Sequence, residues 1–315
     1  MENILVVGAC GQLGSELTVR LREIYGSEHV IASDIKNTVD NLGEGPYEIV
    51  NALDKEGLQE VIKKYNVTQV YHLAAILSAK AELKPLQSWD LNMQGLLNIL
   101  EIGREKLVEK IFWPSSIAVF GPSTPHKDTP QQVIMDPNTV YGISKLAGER
   151  WCDYYFQHYD VDVRSLRYPG LIGYKTPPGG GTTDYAVDIY FHAAKQKPYD
   201  CFLKENTYLP LMYMDDAVHA ATQLMETNAS QITIRSSYNL RAFSVCPKDL
   251  FESIRKIIPD FETTYHPDFR QEIADSWPES IDDSQARKDW NWAPKFHLDK
   301  MTKVMLKNLM EPAGL

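Results

Sequence analysis

Three residues in the middle of the sequence have the types and spacing needed to move a proton to or from an alcohol. Tyr141 and Lys145 stand four positions apart in the run YGISK, so a helix would place them on one face. A nearby ammonium favours the phenolate and lowers the pKa of a tyrosine, which at ~10 is otherwise too high for a base at neutral pH. Ser116 follows a predicted strand, where its hydroxyl could orient the same oxygen. The pattern indicates general acid–base chemistry.

A glycine-rich turn near the start of the chain is typical of a dinucleotide site. Gly8, Gly11 and Gly14 follow the first predicted strand and open a helix in a GxxGxxG spacing. They permit a tight turn, a close backbone approach to a pyrophosphate and close packing of helix on sheet, although a merely tight turn would have the same spacing. Asp34 closes the second predicted strand, where a carboxylate can bind ribose hydroxyls and repel a 2′-phosphate. The combination favours NAD over NADP.

A second glycine-rich segment, residues 179–184, could bind a small charged substrate. Its consecutive glycines expose backbone amides that can bind a carboxylate, Thr182 adds a donor, and Asp184 offers an acceptor for an ammonium group. An amino acid carries both groups. The same residues could instead form a mobile linker in which Asp184 caps the next helix.

The elements that must position these residues alternate regularly through the first half of the chain. Helix-length segments separate strand-like runs, which are predicted at residues 3–7, 30–33, 48–51, 69–73, 110–114 and 161–166. Several runs are apolar almost throughout, as in a parallel sheet covered by helices on both faces. The repetition predicts an α/β fold with a Rossmann-type doubly wound parallel sheet. The helix that carries Tyr141 and Lys145 is expected over about residues 141–158.

Proline and glycine crowd the stretch after Tyr168, so the regular alternation ends there. We predict an NAD-binding Rossmann domain over residues 1–173 and a smaller C-terminal lobe, mainly for substrate, over residues 174–315. Part of about 211–242 is expected to return to the Rossmann domain. Helices are predicted near residues 184–195, 216–225, 247–257 and 283–290. Trp277, Trp290 and Trp292 are interpreted as packing anchors of the terminal lobe.

Composition argues against several classes of function. A formal net charge of -10 without a Lys/Arg cluster disfavours nucleic acid as a partner. The longest apolar runs fall well short of the ~20 residues that cross a bilayer, so no membrane partner is predicted. The four scattered cysteines and the separated histidines predict neither a disulfide framework nor a metal site. The first strand starts almost at Met1, which leaves no room for a targeting peptide, and we expect a cytoplasmic location.

Together these features resemble the extended short-chain dehydrogenase/reductase superfamily. Its expected order is met by the three glycines, by HLAA at residues 72–75, by SIAVFG at residues 116–121, and by Tyr141 and Lys145. The second half is similar to the short-chain-type L-threonine 3-dehydrogenase family in particular. The similar runs are RSLRYPGLIG at 164–173, PGGGTTDYAVD at 178–188, YMDDA at 213–217 and RQEIADSWPESIDDSQARKDWNW at 270–292. The resemblance thus covers nearly the whole chain.

The resemblance implies that NAD⁺ oxidises the C3 alcohol of L-threonine to 2-amino-3-oxobutanoate, in amino-acid catabolism, within a homodimer. Tyr141 would be the general base, Lys145 would lower the pKa of that tyrosine, and Ser116 would orient the oxygen. The expected substrate-binding residues are Ser78, Ser116, Tyr141, Gly180, Thr182 and Asp184. The expected cofactor-binding residues are Gly8, Cys10, Gly11, Gln12, Leu13, Gly14, Asp34, Asp54, Leu73, Ala74, Ala75, Asn92, Tyr141, Lys145 and Tyr168.

Two other interpretations of the same residues stay open. An NAD-dependent nucleotide-sugar epimerase or dehydratase would use the same tyrosine and lysine on a sugar hydroxyl. Residues 179–184 offer it only small and acidic groups, whereas a diphosphate needs basic ones. A non-catalytic NAD-binding protein would have no chemical need for Ser116, Tyr141 and Lys145 together.

Overall fold

The computed structural model describes residues 2–37 and 41–311, and its largest element is a seven-stranded sheet. The strands along the chain are β1 (Ile4–Val7), β2 (Val30–Asp34), β3 (Tyr47–Ile49), β4 (Gln69–His72), β5 (Lys110–Ser116), β6 (Asp162–Tyr168), β7 (Gly170–Ile172), β8 (Tyr199–Cys201), β9 (Leu209–Tyr213), β10 (Tyr238–Asn239), β11 (Phe243–Val245) and β12 (Thr263–Tyr265). The order across the large sheet is β10-β6-β5-β4-β1-β2-β3, and each neighbouring pair is parallel. The predicted Rossmann-type parallel sheet is confirmed.

Eleven helices of the described residues flank or extend the sheets. They are α1 (Gln12–Tyr25), α2 (Lys55–Tyr65), α3 (Ser78–Leu83), α4 (Pro85–Arg104), α5 (Val140–Tyr159), α6 (Tyr185–Ala194), α7 (Met214–Glu226), α8 (Pro247–Arg255), α9 (Arg270–Asp275), α10 (Ser284–Trp290) and α11 (Leu298–Met310). Within the ranges that the structure describes, no helix combines the length and apolar character needed to cross a membrane.

Both faces of the large sheet are buried, which explains the nearly continuous apolar character of its strands. Along β1, Ile4 and Val6 pack into a core with α1 and α7, whereas Leu5 and Val7 pack into a second core with α2, α4 and α5. All four side chains are buried. Because successive residues of a strand point to opposite faces, an alternation of apolar and polar residues would have placed polar side chains in one of these two cores.

The second half of the chain builds a smaller part around a third core. A three-stranded sheet of order β11-β9-β7 and the pair β12-β8 pack with α6, α8 and α11. Strand β10 instead pairs with β6, with Tyr238 opposite Leu166, and so joins the large sheet. The chain therefore passes between the two parts more than once.

The carboxyl ends of the parallel strands meet at one edge of the large sheet. There β5 and β6 pair over seven residues, and the last pair joins Ser116 to Tyr168. The strand thus runs two residues beyond its predicted end, and Ser116 is its last residue rather than the start of a loop. Ligands of open α/β sheets bind at this edge, so it is where a site is expected.

Candidate active site

A cavity of about 220 Å³ opens at the carboxyl edge of the sheet, between the two parts of the chain. It brings together most of the residues that the sequence predicted for the site. The predicted residues in its lining are Gly8, Gly11, Gln12, Leu13, Gly14, Leu73, Ala75, Ser78, Ser116, Tyr141, Lys145, Tyr168, Thr182 and Asp184. One wall is therefore the turn between β1 and α1, and the opposite wall is the segment around Thr182.

The turn between β1 and α1 has a backbone that only glycine allows. Gly8 has a φ of +87°, and a Cβ there would lie 2.7 Å from the backbone nitrogen of Ala74. A Cβ on Gly14 would collide with the carbonyl oxygen of Gly8. Gly11 is the N-cap residue of α1 and supplies no side-chain cap, and the first turn of the helix contains no acidic residue. The helix therefore presents open amides and the positive end of its dipole to the cavity, which suits a pyrophosphate.

Asp34 ends β2 beside this turn and holds it in place. Its Oδ2 accepts a hydrogen bond from the Cys10 backbone nitrogen at 3.0 Å, and its Oδ1 accepts one from the Ile35 nitrogen at 2.8 Å. Oδ1 also accepts a hydrogen bond from the Lys36 nitrogen at 3.4 Å, whereas Oδ2 has a further lone pair that can accept a hydrogen bond from a ribose. The glycine turn, the open helix end and this carboxylate fit an NAD molecule.

Ser116, Tyr141 and Lys145 converge on the cavity from two elements. Ser116 ends β5, and its hydroxyl accepts a hydrogen bond from the Ala118 nitrogen at 3.2 Å. Tyr141 lies in the first turn of α5, a helix that begins after Thr139 because the Thr139 hydroxyl accepts a hydrogen bond from the Gly142 nitrogen at 3.1 Å. The Lys145 Nζ, one turn further, lies 5.6 Å from the centroid of the Tyr141 ring.

Burial controls the proton affinities of the tyrosine and the lysine. It raises the pKa of Tyr141 to about 12, although the neighbouring Ser116 hydroxyl lowers this pKa in part. Burial also lowers the pKa of Lys145 to about 7. The Lys145 Nζ donates a hydrogen bond to the Pro114 carbonyl oxygen at 2.6 Å. In this structure removal of water is the largest influence on the Tyr141 pKa, and the expected lowering of that pKa by Lys145 stays a prediction.

The second glycine-rich segment folds back on itself. The Oδ2 of Asp184 accepts hydrogen bonds from the backbone nitrogens of Gly180, at 2.6 Å, and Gly181, at 2.8 Å. The two amides predicted to bind a substrate carboxylate are therefore already paired in this structure. Asp184 is the N-cap residue of α6 by position, but its side chain makes no capping hydrogen bond to that helix. Burial raises the pKa of the Asp184 carboxyl, and the two amides oppose that shift.

Ser78 fastens this segment to the large sheet. It is the first residue of α3, and its Oγ lies 3.3 Å from the Oγ1 of Thr182 and accepts a hydrogen bond from the Thr182 nitrogen at 3.3 Å. Both side chains are buried and line the cavity. The two hydroxyls are close enough to bind one small polar group together.

Six predicted site residues do not line the cavity: Cys10, Asp34, Asp54, Ala74, Asn92 and Gly180. Asp54 caps α2 by accepting a hydrogen bond from the Gly57 nitrogen at 2.9 Å. Asn92 accepts a hydrogen bond from the Ile76 nitrogen at 2.8 Å and donates one to the Ile76 oxygen at 3.1 Å. Asn92 thereby fixes the segment that leads from β4 to Ser78, so the structure gives it a positioning contact.

Sequence reasoning missed several residues of the lining. These are Leu77, Pro114, Ser115, Ile117, Pro169, Gly170, Leu171, Thr183 and Trp277. Trp277, between α9 and α10, packs in the core of the smaller part as interpreted, and it also contributes to the cavity wall. Its only signal in the sequence was its place in the run that carried the family resemblance. Trp290 and Trp292 do pack together, with ring centroids 5.6 Å apart, but in the core that joins the large sheet to α1 and α7 rather than in the terminal lobe.

Metal ligation has no candidate site in the described part of the chain, where no three His, Cys, Asp or Glu side chains are grouped to hold an ion.

Comparison with known proteins points to one family. A model of the NAD-dependent epimerase/dehydratase family matches residues 4–240. A relative from Staphylococcus saprophyticus, described as an uncharacterized epimerase/dehydratase, is 47% identical over 309 residues, which are 97% of this chain and 96% of that protein.

Solved structures extend the similarity over the whole chain. An L-threonine dehydrogenase from Cupriavidus necator in its holo form is 52% identical, with 98% of this chain and 99% of that chain covered and a TM-score of 0.96. For an L-threonine dehydrogenase from Clostridium difficile the identity is 49%, the coverage 99% and 98%, and the TM-score 0.96. For a monomeric L-threonine 3-dehydrogenase from a metagenome these values are 46%, 98% and 98%, and 0.94.

Proposed function

This chain belongs to the NAD-dependent epimerase/dehydratase family, and we propose that it uses NAD⁺ to oxidise the C3 alcohol of L-threonine to 2-amino-3-oxobutanoate. The observation that carries the proposal is the convergence of Ser116, Tyr141 and Lys145 on one cavity beside the glycine turn. Similarity to threonine dehydrogenases over 98% or more of the chain supports the choice of substrate.

The residues that would hold NAD lie along one wall of the cavity and at its rim. The glycine turn and the amino end of α1 would bind the pyrophosphate, and Asp34 would bind the adenosine ribose. Lys145 would bind the ribose of the nicotinamide. When bound, the nicotinamide supplies the acceptor for a hydride. The remaining work, which is binding, orientation and proton transfer, belongs to the side chains.

Tyr141 would act as the general base. Its phenolate oxygen would take the proton of the C3 hydroxyl as C3 gives up a hydride, so the alcohol loses one proton and one hydride, which is two protons and two electrons in all, and becomes a ketone. Ser116 would donate a hydrogen bond to the same oxygen and hold it beside Tyr141. Because burial raises the pKa of Tyr141 to about 12, the site must favour the phenolate through Ser116 and a protonated Lys145.

The rest of the cavity would hold the amino-acid part of the substrate. Asp184 offers a buried carboxylate for an ammonium group, and the amides of Gly180 and Gly181 would become free for the substrate carboxylate if Asp184 turned toward that ammonium. Ser78 and Thr182 add hydroxyls. Among the described residues, Lys145 is the one cation of the lining, so a sugar nucleotide would lack partners for its diphosphate.

The test of this proposal is the absorbance of NADH formed by the purified protein. We expect L-threonine with NAD⁺ to give rapid reduction, and L-serine, L-allo-threonine or NADP⁺ to give much less. The substitution Tyr141→Phe should lower kcat by roughly 100-fold or more while NAD still binds, because the base is lost and the fold is kept.

Tyr154→Phe is the matched control, since Tyr154 is an exposed tyrosine of the same helix. It should retain full activity. If the protein bound NAD but reduced it with no amino acid, the dehydrogenase proposal would be lost, and assays with nucleotide sugars would follow. Normal turnover by Tyr141→Phe would remove Tyr141 from the role of base.

A further inference from the structure

We propose that Glu149, held by Arg167 and Ser115, is a positioning residue for Tyr141 and Lys145, so that the functional face of α5 extends one turn beyond the YxxxK pattern. The inference rests on the proposed function in one respect, because it takes Tyr141 and Lys145 as the groups that handle the proton.

Three residues spaced four apart join α5 to the end of β5. Tyr141, Lys145 and Glu149 therefore lie on one helix face, and all three are buried. Lys145 donates to the carbonyl oxygen of Pro114, and the Oε1 of Glu149 accepts a hydrogen bond from the Ser115 hydroxyl at 2.7 Å. Successive turns of the helix are thus fixed to the two residues that directly precede Ser116.

Arg167 completes this attachment from the neighbouring strand. Its Nε and Nη2 donate to the two oxygens of Glu149, each at 2.8 Å, and neither residue exposes more than 1% of its surface. Its Nη1 donates to the Oδ1 of Asn239 at 2.9 Å and to the carbonyl oxygen of Gln131 at 3.0 Å. Removing one partner of such a pair is costly because a charge is left buried without compensation. The pair therefore fixes α5, β5, β6 and β10 relative to one another next to the cavity.

Glu149 also supplies the negative charge that faces Lys145. On its own helix, α5, the neighbours of Lys145 are Tyr141, Glu149 and Cys152. On β5 they are the Pro114 carbonyl and the Trp113 ring, whose centroid lies 4.4 Å from Nζ. On β4 the neighbour is His72.

Two of the titratable neighbours are neutral near pH 7. Burial raises the pKa of the Cys152 thiol far above its usual value and lowers the pKa of His72 to about 3. Burial lowers the pKa of Lys145 to about 7, and Cys152 and Glu149 act against this shift. Since the thiol is uncharged, the carboxylate of Glu149 is the group that favours the ammonium form of Lys145.

The experiment is the substitution Glu149→Gln, which keeps the size of the side chain and a partner for Ser115 but removes the charge. With less support for its proton, Lys145 should deprotonate at lower pH and then stabilise the Tyr141 phenolate less. We expect kcat to fall roughly tenfold. The pH range of activity should narrow, with the acidic limit moving up and the basic limit moving down by about one pH unit each.

A second readout does not depend on the substrate. The absorbance of tyrosinate is measured as a function of pH in the NAD-loaded wild-type protein and in NAD-loaded Tyr141→Phe. The difference between the two titrations reports the ionisation of Tyr141. Its midpoint should move upward in Glu149→Gln. If the wild-type protein failed to oxidise L-threonine, this titration would still decide whether Glu149 acts on Tyr141 through Lys145.

Asp162→Asn is the matched control, because it breaks an ion pair with the buried Arg164 at the other end of β6. It should cost stability but leave the pH profile and the tyrosinate midpoint unchanged. If Glu149→Gln does not fold, the double variant Glu149→Gln/Arg167→Met leaves no unpaired charge and should show the same narrowing. A loss of stability in either variant with an unchanged pH profile and midpoint would overturn the proposal.

Discussion

At the scale of single residues, burial opposes the charges that the reaction requires. Burial disfavours the phenolate of Tyr141 and the ammonium of Lys145 alike. The neighbours that act in the opposite direction are few: the Ser116 hydroxyl for the tyrosine and the Glu149 carboxylate for the lysine. Each therefore has a larger effect than it would in water, because electrostatic interactions strengthen as the local dielectric falls.

We expect one residue, Asp34, to decide the choice of cofactor. The substitution Asp34→Ser should lower kcat/KM for NAD⁺ roughly tenfold, since the carboxylate that would bind the ribose hydroxyls is lost. It should raise kcat/KM for NADP⁺, because no carboxylate then repels the 2′-phosphate. In addition, Lys36 lies next to the ribose-binding position of residue 34, with its Nζ 3.4 Å from the Cys10 oxygen. Kinetics with both cofactors measure the change.

Asp260→Ser, at an exposed carboxylate between α8 and β12, is the control for this substitution and should alter neither value. An Asp34→Ser variant that kept the wild-type preference between the two cofactors would show that Asp34 does not select NAD.

At the scale of elements, local patterns predicted much of the fold but not the directions of the side chains. The apolar runs located six of the seven strands of the large sheet, and β10 was expected only as part of the segment at about 211–242 that returns to it. Strands β5 and β6, which pair with each other, both run two residues beyond their predicted ends. Helices α9 and α11 were not predicted. Helix α9 has only six residues, whereas in α11 the buried Met301, Met305 and Leu306 recur at helical spacing, so its local signal was overlooked. No local pattern could show that Asp184 turns back to its own loop or that Trp277 reaches the cavity, since both depend on packing between distant segments.

The end of β4 contains a buried histidine that makes the folded protein less stable at acidic pH. His72 is 1% exposed, and neither ring nitrogen has a hydrogen-bond partner among the described residues. Burial, and to a smaller extent the charge of Lys145, lowers the pKa of His72 from 6.5 to about 3. Between these two values the unfolded chain binds a proton that the folded chain does not, so folded stability falls as the pH drops below 6.5.

The substitution His72→Leu should therefore make the folded protein less sensitive to acid. The wild-type free energy of unfolding should drop by about 2 kcal/mol more than that of the variant between pH 6.5 and pH 5. Urea unfolding at the two pH values measures this difference. His158→Leu, at an exposed position of α5, should retain the wild-type dependence. Equal slopes for His72→Leu and the wild type would mean that His72 is protonated in the folded protein.

At the scale of the whole molecule, the family was predicted correctly from the sequence. The structure shows that the site lies between the two parts of the chain. Outside that site, large apolar side chains are exposed on α4 and α5, which pack side by side. Their outer faces expose Leu86, Trp89, Ile143, Trp151 and Tyr154, each by 39% to 84%. Soluble monomers rarely leave so many large apolar side chains together in water, so this face favours the predicted homodimer.

The dimer prediction is testable by disrupting that face. In a two-fold dimer the same patch meets itself, so one substitution places a charge in the interface twice. We expect the wild-type protein to sediment as a dimer and Trp151→Glu to sediment as a monomer, because two buried carboxylates without partners oppose association. Ile257→Glu, at a similarly exposed position beyond α8, should remain a dimer. Monomeric wild-type protein at micromolar concentration would exclude the dimer and leave the α4–α5 face without this explanation.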